Sequence, residues 1–86
     1  ASHAGREVYR RGNEIVWAAN GDDGGYYLAQ FNVGESELES STPLSFIGTE
    51  NASEAVELWS GERKMIDNNT IVSKVPPHGV KLYKIS

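Results

Sequence analysis

Glu14-Ile15-Val16-Trp17-Ala18-Ala19, then Asn20-Gly21-Asp22-Asp23-Gly24-Gly25, then Tyr26-Tyr27-Leu28-Ala29-Gln30-Phe31-Asn32-Val33 is the stretch that decides the fold. The outer segments are rich in β-branched and aromatic residues, which suit a pleated, half-buried surface. Everything between them is asparagine, glycine or aspartate, so positive φ is cheap there and the chain reverses. The stretch reads as a β-hairpin.

The same punctuation recurs on both sides. Short runs at 7–10, 42–47, 55–59, 70–75 and 80–85 read as further strands, separated by a polar loop at 48–54 and turns at 60–63 and 76–79. Glu35, Glu37 and Glu39 fall on every second residue, which in a strand gives one solvated, self-repelling edge. No segment carries a sustained 3.6-residue stripe. Short strands with a turn signal about every 8–12 residues predict an all-β antiparallel sandwich of Greek-key type, with about seven or eight strands. The 86 residues leave room for one domain, 1–86, without repeat or linker. Residues 1–5 are short and polar and are expected to stay outside the fold, with Ala1-Ser2-His3 reading as an expression remnant. The expected core is Ile15, Trp17, Ala29, Phe31, Leu44, Phe46, Val56, Leu58, Ile71, Val75, Val80 and Leu82.

Composition narrows the function. Twelve acids against eight bases give a formal charge of -4, which disfavours nucleic acid and anionic lipid as partners. No apolar run approaches the roughly 20 residues of a membrane helix, so a soluble chain, cytoplasmic or secreted, is expected. Cysteine is absent, so packing alone must hold the domain. Asn51-Ala52-Ser53 and Asn68-Asn69-Thr70 match the glycosylation sequon, a tripeptide that arises readily by chance.

Catalytic chemistry finds little footing. His3 and His78 stand far apart and no thiolate exists, so a zinc site is not expected; His78, between Pro77 and Gly79, reads as a turn residue. Asp22 and Asp23 lack the spacing of a calcium loop and read as turn chemistry. No nucleophile elbow is present, and the acids lie in turns or on polar strand faces. No catalytic, cofactor-binding or metal-binding residue is therefore assigned. The aromatic residues are more informative. Trp17 and Trp59 are candidates to stack on a sugar, the alternative for each being core or interface.

Two further strings carry a resemblance. Leu58-Trp59-Ser60-Gly61, then Val75-Pro76-Pro77-His78-Gly79-Val80-Lys81-Leu82, resembles the closing segment of the α-galactosidases of glycoside hydrolase family 27. Glu14-Ile15-Val16-Trp17 with Leu28-Ala29-Gln30-Phe31-Asn32 is similar to that family's preceding strand pair, and Phe46-Ile47-Gly48 to its aliphatic-glycine step. Glu57 departs from the family's usual aspartate, and residues 35–41 match nothing definite. The resemblance implies a non-catalytic C-terminal accessory domain that packs on and stabilises a catalytic (β/α)8 barrel. Both catalytic aspartates of the retaining mechanism would lie in that barrel, and the parent would hydrolyse terminal α-galactosides or α-N-acetylgalactosaminides. The alternative is a carbohydrate-binding module gripping substrate through exposed Trp and Tyr. In the last strand Val80 and Leu82 are expected to face inward, leaving Tyr83 and Ile85 as an outer pair for interdomain docking and for weak self-association of the isolated domain.

Overall fold

In a computed structural model that describes residues 5–21 and 24–86, the chain forms β1 (Arg6–Arg11), β2 (Glu14–Asn20), β3 (Tyr26–Asn32), β4 (Leu38–Pro43), β5 (Glu54–Glu57), β6 (Arg63–Met65), β7 (Thr70–Val75) and β8 (Val80–Ile85). The expectations for His3, Asp22 and Asp23 lie outside the described residues. The hairpin is present: β2 and β3 pair without a break from Glu14 opposite Asn32 to Asn20 opposite Tyr26. Gly24 at φ 82° and the Gly21 N–H to Gly25 carbonyl bond of 2.8 Å hold its turn.

The strands form a six-stranded antiparallel sheet in the order β1-β2-β3-β8-β5-β6 and a two-stranded sheet, β4-β7. The chain crosses between them after β3, before β5, and on either side of β7, which gives the antiparallel sandwich with connections of Greek-key type. Val16, Ala18, Leu28, Leu44, Ile47, Ala55, Ile71, Tyr83 and Ile85 make one buried cluster between the sheets. Removing each of its larger aliphatic side chains from water stabilises the fold by about 1.5–3 kcal/mol.

Local details depart from the sequence reading. The strand expected at 42–47 ends at Pro43, whose missing N–H cannot continue a ladder, and Leu44–Ile47 closes a 3₁₀ turn capped by Gly48 at φ 91°. That turn sends Leu44 and Ile47 inward and leaves Phe46 exposed. Glu35 and Glu37 precede β4, so only Glu39 of the acidic series sits on a strand, where it faces Lys74. The short polar edge strand β6 carries no alternation by which it could be read.

The larger correction concerns which face points inward. Leu44, Ile71 and Val75 are buried as expected, but in β2, β3, β5 and β8 the other face packs inward. Ile15, Trp17, Ala29, Phe31, Val56, Leu58, Val80 and Leu82 therefore lie outside the core, while Val16, Ala18, Leu28, Ala55, Tyr83 and Ile85 fill it. Tyr83 and Ile85, the expected docking pair, are 2% and 0% exposed. A period of two makes this an all-or-none error, because one wrong choice flips every side chain in the strand.

The turn before β8 needs glycine for a different reason than its φ. His78, not Gly79, occupies the left-handed region at φ 56°. A Cβ on Gly79 would sit 2.8 Å from Pro76 Cγ and 3.0 Å from the Pro76 carbonyl oxygen. Gly79→Ala is therefore expected to cost about 1–3 kcal/mol by overpacking. His78→Gly should gain about 0.5 kcal/mol, relief of left-handed strain slightly exceeding the added chain entropy. Urea midpoints of both variants check this pair of opposite signs.

Candidate functional site

The outward face of the six-stranded sheet is built as three rows running across the strands. Ile15, Phe31 and Val80 form one row; Trp17, Ala29 and Leu82 the next; Ala19, Tyr27, Lys84 and Val56 the third. Leu58, whose N–H donates to the Leu82 carbonyl at 2.8 Å, extends the middle row. Trp17 and Leu58 are 42% and 43% exposed, and a shallow dimple of about 80 Å³ beside Trp17 is lined by Gly5, Ala19, Tyr27, Ala29 and Leu82. Charges on this face stand mainly at its margins. Arg10 pairs with Glu7 on β1 at 3.0 Å, and Arg63 with Glu54 across β6 and β5 at 3.4 Å. Lys84 lies over the Tyr27 ring, 6.0 Å from its centroid.

The outward face of the two-stranded sheet is different. Its pairs are Glu39 with Lys74, Ser41 with Val72 and Pro43 with Thr70. A groove beside it, lined in part by Lys64, Asp67, Asn68 and Thr70, holds one amine, and Lys64 Nζ already donates to the Val72 carbonyl at 2.6 Å.

The residues singled out by sequence are scattered. Trp17 is on the outer face of β2, Trp59 is 66% exposed in the turn after β5, and His78 is in the turn before β8, its N–H donating to the Gly34 carbonyl at 3.1 Å. What sequence reasoning missed is polar material inside. Glu14, Gln30, Asn32 and Glu57 are buried on the core face. The available signal was their spacing: each alternates in register with Val16, Ala18, Leu28 or Ala55.

Each of these four side chains makes structural hydrogen bonds, although Gln30 Oε1 has no partner. Glu14 accepts hydrogen bonds from Tyr9 Oη at 2.8 Å, from Ser40 Oγ, and from the Arg11 guanidinium at 3.0 Å. Burial pushes its pKa up, but the donors outweigh that and hold it below the ordinary glutamate value. In Glu57 burial is again opposed, here by the Ser60 amide at 2.9 Å and hydroxyl and by the Leu82 and Trp59 amides, and the pKa is again lowered. Gln30 Nε2 donates to Thr42 Oγ1 at 3.1 Å and to the Ile71 carbonyl at 3.2 Å. Asn32 Nδ2 donates to the Ser36 and Val75 carbonyls at 2.7 and 3.0 Å. A general acid for glycoside cleavage needs a raised pKa and an approach for substrate. Glu14 and Glu57 have neither. Among the described residues no three His, Cys, Asp or Glu side chains are grouped to hold a metal, and no helix is long and apolar enough to cross a membrane.

Residues 11–85 match the family model of the alpha-galactosidase C-terminal β-sandwich domain. No curated relative matches. Among solved structures, a GH27 β-L-arabinopyranosidase from Geobacillus stearothermophilus superposes with a TM-score of 0.88 at 28% identity, over 96% of this chain and 19% of its own. A Bacillus halodurans protein assigned as an α-N-acetylgalactosaminidase gives 0.87 at 25% identity, over 95% and 19%. For α-galactosidase I of Mortierella vinacea the values are 0.85 and 20%, over 94% and 22%, a likeness of fold. This chain thus spans about a fifth of the length of the solved relatives it matches.

Proposed function

Because the chain belongs to the alpha-galactosidase C-terminal β-sandwich family, we propose that it is the non-catalytic accessory domain of a retaining glycosidase, stabilising a catalytic (β/α)8 barrel that precedes it in the same polypeptide. The match over residues 11–85 is the observation that carries this reading. The local chemistry supports it, since the buried carboxylates Glu14 and Glu57 are committed to structural donors. The substrate class is terminal α-galactosides. Arabinopyranoside, N-acetylgalactosaminide and galactoside, the sugars named among the neighbours, share one ring configuration and differ in the groups at C2 and C5.

Expression of the 86-residue chain beside the polypeptide encoded with its upstream sequence is the test. Only the longer protein, carrying a barrel of about 250 residues or more, is expected to hydrolyse a chromogenic α-galactoside. Turnover by the purified domain that vanishes on mutating one of its carboxylates would defeat the reading, as would an upstream sequence without a barrel. A second reading, sugar binding by the domain itself, draws on the 66% exposure of Trp59 and the 42% exposure of Trp17. The two rings lie on a turn and on a strand face, so galactose is expected to bind no tighter than about millimolar, a weak-contact affinity. Saturable ¹H–¹⁵N shifts around either tryptophan at micromolar sugar would favour this second reading instead.

A further inference from the structure

In β2, β3 and β8 both faces carry apolar residues, with Val16, Ala18, Leu28, Tyr83 and Ile85 facing the core. The buried face accommodates Glu14, Gln30 and Asn32 among its aliphatic residues, whereas the outward rows carry Ile15, Phe31, Val80, Trp17, Ala29 and Leu82. Strands that are apolar on both faces are the pattern of a sheet covered on both sides. Monomers seldom leave a contiguous apolar area of this kind to water. The arrangement also has the anatomy of a stable interface. Its centre is aromatic and aliphatic, its two margins carry the ion pairs Glu7–Arg10 and Glu54–Arg63, and the dimple beside Trp17 has room for an aliphatic side chain from a partner.

We infer that this outward face of the six-stranded sheet, centred on Trp17, Ala29 and Leu82, is the surface by which the domain docks on the outer helical layer of the catalytic barrel. The inference rests on the accessory-domain reading. The occupant follows from chain length: the solved relatives carry about four-fifths of their residues beyond the part this chain covers, so an intramolecular partner is at hand at high effective concentration. The face of the two-stranded sheet, with Glu39, Lys74, Ser41 and Thr70, offers no comparable apolar centre.

The domain's lack of cysteine permits a direct test. Ala29→Cys places a thiol at the centre of the inferred interface, and Val72→Cys places one on the opposite outward face. Each variant is made in the 86-residue chain and in the joined polypeptide, and maleimide labelling of the domain's peptide is timed by mass spectrometry. The Ala29→Cys rate is expected to fall roughly tenfold or more in the joined polypeptide, as for an interface core cleared of solvent, while the Val72→Cys rate is unchanged. Trp17→Cys, on the same face, should follow Ala29→Cys and covers the case in which that variant folds poorly. Equal rates for the outward-face variants in both contexts, or protection of Val72→Cys instead, would overturn the assignment. Protection that rises with concentration in the isolated chain, and is no greater in the joined polypeptide, would mean a second copy occupies the face and would overturn it too. The α-galactosidase activity of the same joined protein reads the accessory-domain reading separately, so an active enzyme with an unprotected face refutes only the docking surface.

Discussion

Tyr83→Ser combined with Ile85→Ser is expected to leave the chain unfolded at room temperature. Both side chains are buried in the central cluster, and Ile85 stands between Tyr26 on β3 and Ala55 on β5. The Tyr83 hydroxyl is hydrogen-bonded to Ser73, and Lys64 Nζ lies 5.6 Å from its ring centroid, so the residue joins the two sheets as well as filling the space between them. Truncating a large core side chain costs about 3–5 kcal/mol, and an introduced serine adds a hydroxyl that needs a partner. Two such changes amount to about 6 kcal/mol or more, against a stability of roughly 4–13 kcal/mol for a domain this size. Leu82→Ser, one position along on the outward face, should cost far less in the isolated chain. Circular dichroism with urea titration reads both. A double mutant no less stable than Leu82→Ser would mean that β8 turns its other face to the core.

Glu14 gives the second large effect. Its folded pKa lies below the ordinary value, so the unfolded chain binds a proton there more readily than the native one. The contribution is complete above the unfolded pKa of about 4.3 and is lost as the pH falls through the lower folded value. Glu57 shifts in the same direction and adds to the same acid limb. Glu14→Gln should cost about 1–3 kcal/mol at neutral pH, because Tyr9, Ser40 and Arg11 all donate and an amide accepts through one oxygen only. Toward pH 3 the two proteins should converge, since protonation removes from wild type what the mutation removes from the variant. Urea midpoints between pH 3 and 7 test this. Parallel curves over that range would show that Glu14 is not held ionised by its donors.

Strand positions were legible wherever turn residues and alternation agreed. The hairpin from Glu14 to Asn32 and the strands at Thr70–Val75 and Val80–Ile85 follow from local chemistry alone. The inward face was not legible, for a physical reason. Bulk pointed one way, with Trp17 and Phe31 on a single face, while polarity also placed Glu14, Gln30 and Asn32 outside. Their burial is tolerated only because Tyr9, Arg11, Ser40, Thr42 and backbone carbonyls from the opposite sheet or neighbouring loops meet them. Tyr9 and Arg11 lie within five residues of Glu14, but Ser40, Thr42 and Val75 come from far along the chain, and no local window contains them. In β7, where Ile71 and Val75 alternate with Val72 and Lys74, bulk and polarity were less opposed and the face was read correctly. The same conflict hid the candidate surface: large apolar residues that look like core in a lone domain are instead its outward face.

The measurement that tests the accessory role most directly is calorimetry of the joined polypeptide with and without residues 5–86. On this account, deletion lowers the melting temperature of the catalytic part by several degrees or more, because an apolar interface is removed and its other half is left in water. An unchanged melting temperature, with undiminished α-galactosidase activity, would show that the barrel gains nothing from the domain and would contradict the account.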